Sequence, residues 1–165
     1  MPVIPSRCAG KIMNEFRWIE PNALVDRDLE LVLVEKSPAD PSKEYVPTYK
    51  FEMRRNGKPK KIGNIDLRVS DMYRLRMYGG HIGYGVNPEH RGHHYAARAC
   101  RLLLPLARRH GMREIWITCN PENTASRRTC ELVGAEFVET VDLPEDIDMY
   151  QEGERQKCRY RIDLL

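Results

Sequence analysis

His81-Ile-Gly-Tyr-Gly-Val-Asn-Pro-Glu-His-Arg-Gly-His-His-Tyr-Ala-Ala97 is the stretch that decides the fold of this 165-residue chain. It begins as a strand, passes through a short loop that holds Arg91 and Gly92, and ends by opening a helix of small residues. The free N–H groups and the dipole of a helix start attract anions, and Arg91 adds a fixed cation. The stretch therefore indicates an anion site, with an ordinary turn as the alternative when the pattern is taken alone.

Alternating apolar residues predict antiparallel strands before and into this stretch. We expect strands over 29–34, 49–54, 62–69 and 81–86. Residues 1–27 show no clean period and are interpreted as an irregular arm with one short element. The first half is therefore predicted to be an antiparallel meander.

The second half changes to a helical period. A helix is expected over 95–110, with Pro105 inside it as the cause of a kink. A strand over 114–119 follows, and Asn120-Pro121 is interpreted as the start of a second helix. That helix should end at Gly134, where glycine suits a helix C-terminus.

Two last strands are expected over 136–141 and 158–164. Because a helix separates the fourth and fifth strands, we expect a parallel crossover between them. We therefore expect one α/β domain of the α+β kind over residues 1–165. Its sheet should be mixed, mostly antiparallel and twisted, with about six or seven strands and helices packed on it.

Composition excludes several classes of protein. Five cysteines without C-x-x-C spacing predict free thiols in a reducing compartment, and the histidine-rich run lacks a carboxylate or thiolate at metal-ligand spacing. No apolar stretch approaches the roughly 20 residues of a membrane span, and Met1–Gly10 lacks the apolar run of a signal peptide. A net charge of +3 without a recognised motif gives no support for nucleic-acid binding. The sequence thus predicts a cytoplasmic protein without a metal, membrane or nucleic-acid partner.

The order of two motifs resembles the GNAT superfamily, within it the branch of ribosomal-protein and small-amine N-acetyltransferases. The acyl-CoA signature of that family, R/Q-x-x-G-x-G/A, matches residues 91–96, and its N-x-x-S/A helix matches Asn123 and Ser126. Residues 82–86, Ile-Gly-Tyr-Gly-Val, look like the family's splayed fourth strand, whose backbone pairs with pantetheine. The resemblance covers residues 79–139 well, and this segment is expected to be the cofactor-binding core.

The resemblance implies that acetyl-CoA is the cosubstrate and that no metal takes part. It implies direct attack on the thioester by a primary amine, carried by a small molecule, a protein N-terminus or a lysine. The partners are then acyl-CoA and an unidentified amine acceptor, and assembly as a homodimer stays open. The positions that carry over as cofactor-binding are Tyr84, Gly85, Val86, Arg91, Gly92, His93, His94, Tyr95, Ala96, Asn123 and Ser126.

Three departures from the family pattern concern the chemistry. His94 replaces the first glycine of the phosphate loop, and Cys130 stands where many relatives carry the tyrosine that protonates the departing thiolate. Residues 35–48 are also too few for the two helices that relatives place between their first and second strands. A non-catalytic acyl-CoA-binding or sensing domain is therefore the alternative function.

The catalytic candidates are His81, Cys130 and Ser126. His81 stands where relatives often carry a glutamate, and a histidine can act as a base near neutral pH. The alternative is that His81 is only a polar residue at the start of a strand. Cys130 is the candidate leaving-group acid, with buried packing as its alternative and Tyr84 and Tyr150 as other donors, and Ser126 is expected beside the pantetheine.

Two charged loops are open to two interpretations each. The acidic loop 142–154 is either solvated or faces the acceptor pocket, where it would attract a cationic amine. The basic loop 54–61 is either a solvated hairpin or a contact for the 3′-phosphate of CoA.

Overall fold

The first half of the chain forms an antiparallel sheet of five strands. The structure, a computed structural model, describes residues 15–165, so most of the predicted N-terminal arm and Cys8 lie outside the described residues. The strands are β1 (Leu24–Asp26), β2 (Leu29–Ser37), β3 (Thr48–Arg55), β4 (Lys61–Arg68) and β5 (Ile82–Val86). Each pairs antiparallel with the next, which confirms the predicted meander.

The second half alternates helices with a smaller sheet. Its elements are α1 (Tyr95–Arg109), β6 (Glu114–Cys119), α2 (Thr124–Val133), β7 (Glu136–Asp142), α3 (Asp148–Gln151) and β8 (Gln156–Asp163). The last strand, β8, lies between β6 and β7 and is antiparallel to both. The predicted fold class, an α+β sheet with packed helices, is confirmed.

Details of the predicted elements change. The strands form two sheets in place of one mixed sheet, and all the described strand pairs are antiparallel. The short element of the arm is β1. Helix α1 continues through Pro105 without being divided. The N-cap of α2 is Asn123, whose side chain accepts a hydrogen bond from the Ser126 N–H, and not Asn120 as the sequence suggested.

The five-stranded sheet has one buried face and one open face. On β3, Tyr49, Phe51 and Met53 are buried against the apolar side of α1, while alternate residues of the strand point the other way. The connection from β2 to β3 contains only a short 3₁₀ turn, Pro41–Lys43, among its helical elements. We call the polar side of this sheet the open face; it carries half-buried or exposed side chains of Glu30, Val32, Lys50, Glu52, Arg54, Asn64, Asp66 and Arg68.

A charged cluster fastens the β1–β2 hairpin to the start of α1. The buried Arg98 donates from Nε to Asp26 Oδ2 at 2.7 Å and from Nη2 to Asp28 Oδ1 at 2.6 Å. Tyr95 Oη donates to the other oxygen of Asp28 at 2.9 Å. Hydrogen bonds from Arg98 and Tyr95 lower the pKa of Asp28 to about 2. Tyr95 and Arg98 thus hold the first turn of α1 against the β1–β2 hairpin.

None of the helices within residues 15–165 has the length and apolar character needed to cross a membrane.

Replacing Arg98 by Met should destabilise the protein by about 1–2 kcal/mol, because both carboxylates lose their cation but are half-exposed and can be hydrated. Urea unfolding at neutral pH measures this change. The exposed Arg113, changed to Met, is the matched control and should have little effect. Equal effects of the two substitutions would contradict a fastening role for Arg98.

Candidate functional site

His81 joins the two sheets immediately before β5. Its backbone N–H donates to the carbonyl oxygen of Trp116 on β6 at 2.7 Å. Its ring Nδ1 accepts the N–H of Trp116 at 2.8 Å, and its ring Nε2 lies 2.9 Å from the carbonyl oxygen of Ser70. The side chain is buried, at 2% exposure. Apart from these hydrogen bonds at His81, β5 and β6 form no strand pairing in the described chain.

These bonds fix the chemical state of His81. Because Nδ1 accepts a backbone N–H, the proton must be on Nε2, which donates to Ser70, and the ring is neutral. Burial lowers the pKa of His81 below its usual 6.5. A catalytic base needs a free lone pair, and here the lone pair of Nδ1 is bonded to Trp116. The geometry favours the structural alternative for His81, since a base function would require this bond to break.

The predicted cofactor residues lie around one cleft between β5, α1 and α2. Its outer cavity, of about 410 Å³, contains ten of the predicted positions, namely Tyr84, Gly85, Val86, Arg91, Gly92, His94, Tyr95, Ala96, Asn123 and Ser126. The eleventh position, His93, is not among the lining residues described. Its ring lies against that of Tyr95, with 5.4 Å between the centroids.

The start of α1 supplies the donors of this outer cavity. The first intrahelical bond runs from the Arg98 N–H to His94 O, so the N–H groups of Tyr95, Ala96 and Ala97 are free of helical partners. Arg91 is exposed, and its Nε donates to the carbonyl oxygen of Val86 at 3.1 Å, which places its guanidinium at the end of β5. This arrangement is suited to a phosphate group.

The conformation of His94 explains the departure from the family's glycine. His94 is the N-cap of α1 and has a φ of 58°, in the left-handed region that favours glycine. Its side chain is exposed and lines the outer cavity. The loop therefore keeps the backbone shape that glycine would give, at the cost of local strain.

A smaller inner cavity, of about 200 Å³, continues from the outer one and shares Tyr84, Asn123 and Ser126 with it. At this junction Tyr84 Oη lies 2.7 Å from Ser126 Oγ, and either hydroxyl can donate. Burial raises the pKa of Tyr84, so its hydroxyl stays protonated. The cleft thus has an anion-binding end and a hydroxyl-lined end.

Cys130 lies behind this junction rather than in the cleft. It is fully buried, and it is not among the described residues that line either cavity. A hydrogen bond with Cys119 raises the pKa of Cys130 and lowers that of Cys119. The thiol of Cys130 is therefore a poor proton donor in this position, whereas the hydroxyls of Tyr84 and Ser126 face the cleft.

The acidic loop makes one ion pair on the surface and one with a buried lysine. Asp146 accepts from Arg74 at 2.6 Å, and Glu154 lies 2.5 Å from Lys157 Nζ. The described linings of the two cavities contain no residue of 142–154. The Asp146 pair is on the surface, whereas Glu154 pairs with Lys157, a buried residue that lines the inner cavity, so the C-terminal end of the loop adjoins the cleft.

Sequence reasoning missed the part of the cleft that α2 and distant strands build. Arg128, Thr129 and Leu132 of α2 line the outer cavity, and Arg68 and Lys157 line the inner one. The helical spacing from Ser126 points to Thr129, since a residue three positions further along a helix lies on the same face. Nothing local in the sequence marks Arg68 or Lys157.

Comparison with known proteins agrees with this geometry. A family model described as an acetyltransferase (GNAT) domain matches residues 14–136. That match extends well before the segment 79–139 that carries the sequence motifs. No curated protein has a significant sequence match to the chain.

Solved structures share the fold at low identity. A probable GNAT-family acetyltransferase from Chromobacterium violaceum is 15% identical, with a TM-score of 0.63 over 99% of this chain and 97% of that chain. A putative ribosomal-protein-serine acetyltransferase from Vibrio cholerae is 14% identical, with a TM-score of 0.61 over 86% and 97%. A putative acetyltransferase from Salmonella typhimurium, solved with its cofactor acetyl-CoA, is 17% identical, with a TM-score of 0.51 over 72% and 65%. Three further acetyltransferase structures are matched over only 61% to 66% of their own length.

Stability should decrease as the pH falls below about 6.5, because the unfolded chain then protonates His81 while the folded protein holds it neutral. The stability that the neutral His81 ring contributes is complete above about pH 6.5. It is lost as the pH falls through the pKa of His81 in the folded protein, which is the lower of the two. Urea unfolding across this range should show a weaker pH dependence for His81→Gln than for wild type. His110, whose pKa burial also lowers, accounts for a separate part that His110→Gln removes. An unchanged slope in His81→Gln would contradict the neutral, buried ring.

Replacing His94 by Gly should raise the free energy of unfolding by about 1 kcal/mol, because glycine adopts the left-handed conformation without strain. The affinity for CoA should stay within a few-fold of wild type, since the backbone donors are unchanged. Urea unfolding and calorimetry test the two parts. A CoA affinity that rises at low pH in wild type and loses this rise in the variant would instead show that the imidazole is a phosphate ligand.

Proposed function

The chain belongs to the GNAT acetyltransferase family, and from this premise we propose that it transfers an acetyl group from acetyl-CoA to a primary amine. One observation carries the proposal. A single cleft joins the free N–H groups at the start of α1 to the Tyr84–Ser126 hydroxyl pair. The acetyl-CoA bound in the Salmonella typhimurium structure supports the same ligand here.

The outer cavity suits the diphosphate of the cosubstrate. Tyr95, Ala96 and Ala97 offer backbone donors, and Arg91 offers a charge-assisted one. Gly92 has a φ of +93°, and an added Cβ there would meet nothing within 4 Å, so the backbone is open to a ligand. His90 Nε2 is buried and has no hydrogen-bond partner in the described part of the chain, as expected beside a polar ligand.

The junction of the two cavities suits the thioester. The hydroxyl pair of Tyr84 and Ser126 is the proton-bearing group at this narrow point, and we assign it the donation of a proton or hydrogen bond to the leaving sulfur. Cys130, the candidate acid from the sequence, is fully buried and is not among the described residues that line either cavity, so we assign it no part in this step. The role of His81 in this scheme is to hold β5 in place.

The acceptor is a primary amine of a small molecule, a protein N-terminus or a lysine. The short connection between β2 and β3 is an argument against acetyl transfer, because it leaves the open face without the helices expected from the family. A domain that binds acyl-CoA without transferring it is the second candidate. Thiol release from acetyl-CoA, measured against a panel of amines, separates the two.

Acetyl-CoA and CoA should each bind and raise the Tm, since a ligand that binds only the folded state stabilises it. Replacing Arg91 by Ala should weaken binding by about 1–3 kcal/mol, the range for a charge-assisted hydrogen bond. Calorimetry measures both proteins, and Arg113→Ala is the control for a lost surface charge.

Absence of CoA binding to folded wild-type protein would refute the proposed function. Binding without thiol release from any amine would support the second candidate instead.

A further inference from the structure

A thiol faces the reactive end of the cleft. Among the described residues that line the inner cavity, Cys119 at the end of β6 is the one that carries a thiol. A hydrogen bond links its side chain to that of Ser126, which belongs to the hydroxyl pair at the junction of the two cavities. The thiol of Cys119 therefore adjoins the narrow point at which the proposed function places the sulfur of the cosubstrate.

The surroundings of Cys119 favour its thiolate. The hydrogen bond from Cys130 lowers the pKa of Cys119, and the one from Ser126 acts in the same direction. The positive charges of Arg127 and Lys157 add to this effect, and together these groups outweigh the burial of the thiol. The thiolate is the form of cysteine that acts as a nucleophile. Cys119 thus joins nucleophilic character to a position in the cleft.

A second thiol, that of Cys130 on α2, lies behind the first. Cys130 is fully buried and is absent from the described linings of both cavities, but it is hydrogen-bonded to Cys119. This bond and burial raise the pKa of Cys130, so Cys119 is the nucleophile of the pair. A disulfide that entered the cleft would meet Cys119 first, and Cys130 is beside Cys119 to react afterwards.

The cleft directs a CoA sulfur towards Cys119. The free N–H groups at the start of α1 and the guanidinium of Arg91 suit the diphosphate, and the outer cavity runs from there to Ser126. A disulfide of CoA has the same diphosphate and pantetheine as acetyl-CoA, so its sulfur would reach the same junction. The inner cavity, of about 200 Å³, then holds the small thiol on the other side of the S–S bond.

We propose that Cys119 reacts with a disulfide of CoA and a small thiol bound in this cleft, and that Cys130 resolves the product. This inference rests on the proposed function. The Cys119 thiolate forms an S–S bond to the CoA sulfur, the original S–S bond breaks, and the small thiol leaves with a proton from solvent. Cys130 then loses its proton and attacks Cys119 Sγ, which forms the Cys119–Cys130 disulfide and releases CoA as a thiol. Two protein thiols are oxidised as one disulfide is reduced to two free thiols.

Matched controls exist for the residue and for the ligand. Cys100 on α1 is fully buried like Cys130, burial raises its pKa to about 12, and the described linings of the cavities do not contain it. The ligand probe is the mixed disulfide of CoA and β-mercaptoethanol, and its control is β-mercaptoethanol disulfide, which lacks the CoA part. Because Cys8 lies outside the described residues, every protein in the test carries Cys8→Ser.

The test adds Cys119→Ser, Cys130→Ser or Cys100→Ser to this parent and follows the products by intact-protein mass spectrometry and peptide mapping. Cys130→Ser should gain one CoA, at Cys119, whereas the parent should form the Cys119–Cys130 disulfide. Cys119→Ser should lose the reaction, and Cys100→Ser should behave as the parent does. With probes at about 0.1 mM, the CoA disulfide should react at least about tenfold faster than its control, because binding gives an effective concentration of about 1 mM or more.

A labelling experiment needs no substitution in the cleft. In the parent, iodoacetamide should alkylate Cys119 faster than Cys100, because the thiolate is the reactive form and the cavity admits the reagent. Acetyl-CoA, which has no free thiol, should slow the alkylation of Cys119. Labelling of Cys119 that is no faster than that of Cys100, or that acetyl-CoA leaves unchanged, would overturn the inference.

The outcomes separate this inference from the proposed function. If calorimetry shows CoA binding but Cys130→Ser gains no CoA, the inference is wrong and the proposed function stands. Reaction of Cys119→Ser at the rate of the parent, or equal rates with the two disulfides, would also overturn it, since the reaction would then not depend on this thiol or on the cleft. If CoA does not bind to the folded parent, the proposed function fails and this inference fails with it.

Discussion

The hydrogen bonds between His81 and Trp116 are the contact on which the rest of the site depends. They tie the two sheets together at one point through a backbone bond and a ring nitrogen. Past that point β5 and β6 are not paired in the described structure, and the inner cavity occupies the gap beside them. A histidine suits this joint because a neutral imidazole accepts one backbone N–H and donates to one backbone carbonyl, which satisfies both sheets in a buried place.

The gap separates two chemical environments. On the helix side, backbone N–H groups and Arg91 favour phosphate, and Tyr84 with Ser126 forms a hydroxyl pair at the narrow point. On the open side, the side chains of Asp66 and Arg68 fill the space over Gly83. The connection between β2 and β3, which contains only a short 3₁₀ turn, places no α-helix over that second side.

Patterns local in sequence predicted most of the fold, and contacts between distant residues account for what was missed. The alternation in Leu29–Val34 predicted β2, and the helical period after Tyr95 predicted α1. The predicted ends of both elements lie within a few residues of those in the structure. The start of α2 was placed at Asn120, because Asn-Pro is a good helix start. In the structure Asn120 instead accepts from Lys157, 37 residues away, and Asn123 caps the helix. The sequence marks His81 by its position at the start of a strand, but its hydrogen bonds to Trp116 and Ser70 involve residues that no local pattern connects to it.

Amide hydrogen exchange with and without CoA tests most directly whether the cleft beside the His81 joint is the cofactor site. CoA is expected to slow exchange at Tyr95–Ala97, whose N–H groups lack helical partners, and along Ile82–Val86. The N–H of Trp116, already bonded to His81, and the amides of β2 and β3 should be unaffected. Binding of CoA that protects neither the start of α1 nor β5, or that protects the open face instead, would contradict the account.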